Sequence, residues 1–332
     1  MKYKIHTNNK SIVSEFLNFI EKWEDKSTTI QQYTSGSTGK PKNIHIPKWK
    51  LKASAKMTGD FFNLNECNNA LLCISTEYIG GKMMCVRSEI YNLELHIADI
   101  SSNPIKTLTT KIDFVAMVPL QVETILKETP EKLDLIKYLI IGGAPVSSTL
   151  EKQLQKSKCI AYSTYGMTET VSHIALKRLD DSGSPFIAVG DTTFSSKSDE
   201  LIIDCPTLKL NSLFANDLIS LVNNKSFYWK GRKDFVINTG GIKIHPEKVE
   251  LKIRLEIDIS NFIISSIPDK TLGEKVVLIA EQENKKEIES NIFKVKLNRF
   301  EKPRGFYYVN ALNYTTAGKI DRKKTKEKIL ND

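Results

Sequence analysis

The sequence predicts an α/β protein with a large first unit and a smaller C-terminal one, and three observations carry that expectation. Short apolar runs alternate with helical stretches through the first half of the chain. Near Asp199 the texture changes to short strands with Asn-rich turns, and a last segment of about 100 residues has a strand and helix pattern of its own. At 332 residues the chain is long enough for a large core and for more than one domain.

The elements follow in order. Ser11 to Lys22, SIVSEFLNFIEK, places Ile12, Phe16, Phe19 and Ile20 near one helical face, and a second helix is expected over Lys48 to Phe62. LLCIS at Leu71, DFVAMVP at Asp113 and YLIIGGAP at Tyr138 read as strands, with Gln121 to Glu128 as an intervening helix. Parallel strands buried on both faces are continuously apolar, and ligands of such sheets gather beyond the strand C-terminal ends. IIGGAPVS (Ile140 to Ser147) and AYSTYGMTET (Ala161 to Thr170) fall there. ELIIDCP, DLISLVN and SFYWKGR predict a small β subdomain. A boundary near Asp234 divides the chain into 1–233 and an α+β unit, 234–332, with a helix over Glu247 to Ile253, strands in NFIISSIPD and EKVVLIAEQ, and a solvated turn or helix start at ENKKE near Glu283.

Composition removes several function classes. Forty per cent apolar and 26% charged is an ordinary soluble balance. The longest apolar runs, Phe114 to Val118 and Val276 to Ala280, fall far short of the roughly 20 residues a membrane helix needs. MKYKIHTNNK is followed by no apolar h-region, which predicts a cytoplasmic protein. The five cysteines (67, 73, 85, 159 and 205) are odd in number and lack CxxC spacing, so they read as reduced and buried. The five histidines show no metal-ligand spacing, so no transition-metal site is expected. A net charge of +9 suits an anionic partner, but the lysines are dispersed and the one dense basic run, KIDRKKTKEK, lacks interleaved aromatics. Small anionic substrates or plain solubility fit better than nucleic acid.

YTSGSTGKPK, Tyr33 to Lys42, sets Thr34, Ser35, Gly36, Ser37, Thr38, Gly39 and Lys40 in one short loop. Glycines let a ligand approach the main chain and hydroxyls add donors, a combination that suits phosphate. Two residues between the glycines, and Pro41 after Lys40, exclude a Walker loop and predict a flap that does not open into a helix. On composition alone a flexible surface turn fits equally well. YGMTET, Tyr165 to Thr170, brings an aromatic, a glycine, a hydroxyl and a carboxylate to a strand-to-loop edge. By itself it also suits a capped turn that begins a helix.

YTSGSTGKPK, YGMTET, GRKDFVINTGGIKIHPEKVE and TTAGKIDRKK in that order resemble the adenylate-forming superfamily of acyl-CoA synthetases, adenylation domains and luciferases, over nearly the whole chain. The resemblance implies a large α/β adenylate-forming domain, a small mobile C-terminal domain, and ATP, Mg²⁺ and coenzyme A as cofactor and co-substrates. It places Tyr165 on adenine beside Gly166, Thr168 at the α-phosphate and Glu169 on Mg²⁺. Gly142, Gly143 and Ala144 become the adenine-contacting loop, and Asp217 and Arg232 reach the ribose. The residues before that Asp are usually Thr-Gly, whereas this chain has Ala215-Asn216, which leaves the local loop shape open. Without the resemblance, Asp217 and Arg232 are equally surface partners and Lys319 a solvated lysine. With it, Lys319 is the mobile cation bridging the attacking carboxylate and the α-phosphate, Asp234 is the hinge, and Gly240 and Gly241 lie in the loop that replaces Lys319 for the second half-reaction.

The phosphate loop begins near residue 33, which predicts an abbreviated N-terminal region and points to compact members. Among these the chain most resembles the o-succinylbenzoate–CoA ligases of menaquinone biosynthesis. STEYIGGKMMCVRSEIY, Ser75 to Tyr91, stands where those enzymes have their acyl-pocket motif, with Tyr78, Gly81, Lys82 and Arg87 as candidate substrate residues. An acid with a second carboxylate needs a cation in its pocket, and a guanidinium can bind it in bidentate fashion. Alternatives remain: Lys82 and Arg87 on a solvated helix face, an adenylating enzyme that loads a carrier-protein thiol, or a nucleotide-sensing module without turnover.

Overall fold

Residues 2–33, 43–181, 183–257, 259, 261–314 and 320–331 are described by a computed structural model. The residues expected to form a phosphate loop, Thr34 to Lys40, and the expected mobile lysine, Lys319, lie outside them.

The continuously apolar runs form the centre of one large sheet. Its parallel half runs in the spatial order Tyr3–Ile5, Glu94–Ile97, Asn69–Leu72, Ile112–Met117, Ile136–Ile141 and Ile160–Gly166. At Ile160–Gly166 the sheet changes sense, because His173–Arg178 returns antiparallel beside it. Phe186–Ala188, Ser226–Arg232, Leu210–Asn223, Glu200–Cys205 and Thr193–Lys197 continue the antiparallel half. The β-rich region expected from Asp199 onward is therefore joined edge to edge to the α/β region. A second sheet comprises Ile242–Ile244, Ile237–Thr239, Gly273–Glu281, Phe262–Asp269 and Phe306–Val309, with its own apolar core around Ile253, Phe262 and Leu278.

Helix positions follow from apolar spacing. Lys10–Glu24 is capped by Asn9, whose side chain accepts from the Ser11 N–H, and buries Phe16, Phe19 and Trp23. Lys48–Phe62 occupies the expected span and ends at Asn63, held in the left-handed region at φ 50°. Ile79–Ile90 differs in kind, because Gly81 through Ser88 are all buried and the helix has no solvated face along that stretch. Its first turn presses on the preceding loop: a Cβ at Gly81 would overlap the Ser75 and Ile74 carbonyls. Gly81 is therefore required by close backbone packing.

Thr29–Tyr33 and Asn43–Pro47 pair antiparallel with Tyr33 opposite Asn43. Gly240 and Gly241, at φ 56° and 79°, form the two-residue turn between Ile237–Thr239 and Ile242–Ile244. Such a turn needs positive φ at both central positions, which glycine supplies without strain. All five cysteines are free and buried. Among the described residues no helix is long and apolar enough to cross a membrane.

Candidate active site

The carboxyl ends of the parallel strands open onto a cleft of about 2170 Å³ between the large sheet and the C-terminal region. Ile136–Ile141 runs into Gly142 to Ser147 and Ile160–Gly166 into Met167 to Val171, so both predicted loops border the cleft, as the topology of such sheets requires. Glu250, Arg254 and Ile320 to Lys323 form part of the facing wall.

The turn after Gly166 is tightly determined. The Thr170 hydroxyl accepts from the Met167 N–H at 2.9 Å, and the Val171 N–H donates to the Thr168 carbonyl at 3.0 Å. Val171, a β-branched residue, is held at φ 67°. That conformation is costly and persists only where the surroundings impose it. The next element is the strand from His173, so the alternative in which Thr168 and Glu169 begin a helix does not hold. Both line the cleft. In the adjacent loop the Gly142 N–H donates to Met117 O at 3.1 Å, and a Cβ there would sit 2.6 Å from the Thr164 hydroxyl. Gly143 adopts φ 87°, and Ala144 lines the cleft.

Tyr165 and Asp217 are bound to each other. The phenol donates to Asp217 Oδ2 at 2.7 Å, and Trp229 Nε1 donates to Oδ1 at 2.9 Å. Arg232 stands opposite Asp217 in strand register and 3.7 Å from its carboxylate. Burial, then the neighbouring carboxylate, raises the Tyr165 phenol well above its ordinary range, so Tyr165 remains the donor. Burial also raises Asp217, opposed by the bonds from Tyr165 and Trp229. Asp217 is 5% exposed, which removes the surface-pair reading. Asn216, Trp229 and Arg232 form the cleft surface here, with Tyr165 and Asp217 one layer behind it. A carboxylate offers about four lone-pair sites, so the two bonds leave acceptor capacity on Asp217.

The unusual Ala215-Asn216 pair has a structural role. Asn216 takes φ 58°, where Asn is better tolerated than most residues, and its side-chain amide donates to both Asp234 oxygens at 2.9 and 3.0 Å. Arg232 Nη2 donates to the same carboxylate at 3.0 Å. The residue expected as hinge is thus tied to the large sheet by two side chains.

Arg87 and Lys82 are both buried, at 1% and 7% exposure, so neither lies on a solvated face. Lys82 Nζ donates to Gln32 Oε1 and to the Glu77 carbonyl, each at 2.9 Å. Burial pulls its ammonium down to about 8, with Glu15 and Glu77 acting in the opposite direction. It braces the strand Thr29–Tyr33, which leads into the segment expected to form the phosphate loop. Arg87 Nη2 donates to Thr58 Oγ1 at 3.4 Å and Ser172 Oγ at 3.2 Å, and the guanidinium lies 5.9 Å from the Phe114 ring centre. Burial lowers it to about 9, and among the described residues no carboxylate partners it. Its Nε is buried without a hydrogen-bond partner. Tyr78 is 47% exposed and immediately precedes the helix.

The sequence profile of the AMP-binding enzyme family matches residues 7–194. The chain belongs to the AMP-binding enzyme family. Its relatives include the 2-succinylbenzoate–CoA ligase of Bacillus licheniformis, 24% identical across 90% of this chain and 70% of the relative. The Staphylococcus aureus enzyme of the same name is 24% identical, across 98% and 72%. An acyl-CoA synthetase (AMP-forming)/AMP-acid ligase II-like protein from Dyadobacter fermentans is 32% identical with a TM-score of 0.64, covering 97% of this chain and 95% of the other. The Bacillus subtilis o-succinylbenzoate coenzyme A synthetase, solved with ATP and magnesium, shares the fold at a TM-score of 0.74 and 21% identity, with 89% and 69% covered.

For an AMP-binding enzyme, the donor set suits a hard divalent cation held largely by its substrate. Glu169 offers one carboxylate to the cleft, and among the described residues no three His, Cys, Asp or Glu side chains gather into a protein-only ion site. Mg²⁺ is commonly bound by one or two carboxylates plus phosphates. Tyr314 and Ile320, which bracket the segment containing Lys319, pair with one another and line the cleft. Thr58 and Ser172 had no signal in the sequence, and His173 showed only the absence of metal-ligand spacing. Trp229, inside SFYWKGR, could have been found from its place three residues before Arg232.

Proposed function

We propose that this AMP-binding enzyme is an AMP-forming acid–thiol ligase acting on an acid that carries a second carboxylate, o-succinylbenzoate being the best fit, with coenzyme A as acceptor. One observation carries the reading: Arg87 is enclosed beside the cleft loop with its Nε unpartnered. A buried cation lacking a protein anion is costly, and an anionic substrate group would compensate it. The ligases named for 2-succinylbenzoate among the relatives point to the same acid.

In this reading ATP lies along the cleft between the loops of Gly142 to Ala144 and Tyr165 to Glu169. Arg232 faces the ribose, backed by Asp217 one layer behind it, and Thr168 faces the α-phosphate. Glu169 would hold Mg²⁺, which when bound neutralises phosphate charge. The phosphate loop covers the triphosphate, and Lys319 is placed between the two approaching anions, where a positive charge stabilises the transition state more than the ground state. Carboxylate and ATP give acyl-adenylate and pyrophosphate, and the thiol then displaces AMP. The unit from Asp234 onward turns between these steps about the Asn216- and Arg232-bound hinge.

The test is pyrophosphate release with ATP and Mg²⁺ over a panel of o-succinylbenzoate, benzoates and fatty acids. Preference for o-succinylbenzoate, with AMP release accelerated by coenzyme A, is expected. Preference for monocarboxylic acids rejects the substrate, and absence of pyrophosphate with every acid rejects the ligase.

A further inference from the structure

Arg87 does not hang freely in its site, and the groups that hold it form a closed hydrogen-bond ring. Its Nη2 donates to Thr58 Oγ1 and Ser172 Oγ, at 3.4 and 3.2 Å. His173 Nε2 lies 3.1 Å from Thr58 Oγ1, and His173 Nδ1 lies 3.5 Å from Ser172 Oγ. The Thr58 hydroxyl sits 3.1 Å from the Ser54 carbonyl, which can only accept. A hydroxyl has one hydrogen and two lone pairs. With its hydrogen on Ser54, Thr58 must accept from both Arg87 and His173, which fixes His173 as the Nε2–H tautomer. Nδ1 is then an acceptor, and Ser172 donates to it while accepting from Arg87. With that assignment every donor in the ring meets one acceptor.

The ring secures one edge of the guanidinium and leaves Nε without a partner. His173 is buried; burial, and then the Arg87 charge, hold its pKa well below the ordinary imidazole range, so it stays neutral beside the cation. The ring draws on three elements: the helix Lys48–Phe62, the helix Ile79–Ile90 and the turn between Gly166 and His173 that borders the cleft. The same turn carries Thr168 and Glu169.

We infer that Thr58 and His173 are specificity-determining positioning residues, which aim Arg87 at the second carboxylate of a dicarboxylic acid substrate. The inference rests on the functional reading above. Neither residue touches substrate. Their effect is exerted through the direction of the guanidinium, and a misdirected fork loses bidentate contact with a carboxylate.

The experiment compares the wild type, Thr58→Val and Thr58→Ser, using o-succinylbenzoate and benzoate in the pyrophosphate-release assay, with thermal melting on each variant. Valine keeps the shape and removes the hydroxyl. Thr58→Val is expected to raise KM for o-succinylbenzoate about tenfold while KM for ATP changes less than about twofold, and Thr58→Ser is expected to restore the wild-type value. An unchanged KM for o-succinylbenzoate in a folded Thr58→Val protein overturns the inference. A parallel loss for ATP and both acids that tracks a fall in melting temperature also overturns it, because the hydroxyl is then merely structural. If Thr58→Val fails to fold, His173→Gln replaces it: Gln has a donor near the Nε2 position but no acceptor at Nδ1, so a raised o-succinylbenzoate KM with unchanged ATP KM supports the ring and an unchanged value sinks it. A wild type that uses no dicarboxylic acid removes the functional reading, and this inference with it, before any variant is compared.

Discussion

A guanidinium enclosed by protein with an unpartnered Nε–H costs stability in the fold that holds it, and under the proposed function substrate binding offsets that cost. Replacement by an apolar side chain of similar length should relieve that cost. Arg87→Met is expected to melt at or above the wild-type temperature while kcat/KM for o-succinylbenzoate falls about 10- to 100-fold. Calorimetry and the panel assay check the two halves, and a large drop in melting temperature with unchanged kcat/KM would reverse the assignment. His173 gives a pH signature. Its folded-state pKa lies well below the ordinary 6.5, so as pH falls below about 6.5 the unfolded chain takes up a proton that the folded one refuses. Stability from this group is present above that range and declines toward the folded pKa. Denaturant midpoints should fall between about pH 7 and about pH 5.5. His173→Gln should make the decline shallower without abolishing it, because burial lowers His96 and His245 as well.

At the scale of elements, close approach decides where glycine is obligatory. The helix Ile79–Ile90 begins against the Ser75 carbonyl, and the strand ending at Gly166 abuts the Ser172 carbonyl; a Cβ at either glycine would overlap backbone. Gly81→Ala is expected to destabilise by about 1–3 kcal/mol, with the shift of an urea midpoint as the measure. The spacing of Lys82 and Arg87 does not place them on one side, and their common burial results from the helix being enclosed along most of its length. Helical periodicity finds a helix with one apolar face; it does not find one buried all round that carries two cations. The Asn216 turn shows another limit. Its departure from the usual Thr-Gly was visible in the sequence, but the bonds to Asp234 arise because the strands Leu210–Asn223 and Ser226–Arg232 bring residues 18 apart together.

For the molecule as a whole, the cleft lies between the large sheet and the C-terminal region, and the ends of the segment holding Lys319 open onto it. Lys319→Ala is expected to abolish most adenylate formation and to leave thioester formation from supplied acyl-adenylate much less affected, measured as separate half-reactions. Equal loss in both would remove the division of labour between Lys319 and the turn at Gly240 and Gly241.

The sequence alone determined the α/β class, the strands at Leu71, Asp113 and Tyr138, the helix over Lys48–Phe62 and the loops at the strand ends, because periodicity and turn chemistry are local properties of the chain. It also offered Arg87 as a candidate cation for an acid's second carboxylate. Only the tertiary structure decided that Arg87 is enclosed, that Thr58, Ser172 and His173 hold it, that Tyr165 is paired with Asp217, and that the β-rich region continues the main sheet. Each of these depends on groups brought together across long stretches of chain, where a hydrogen bond needs a distance that no residue spacing encodes.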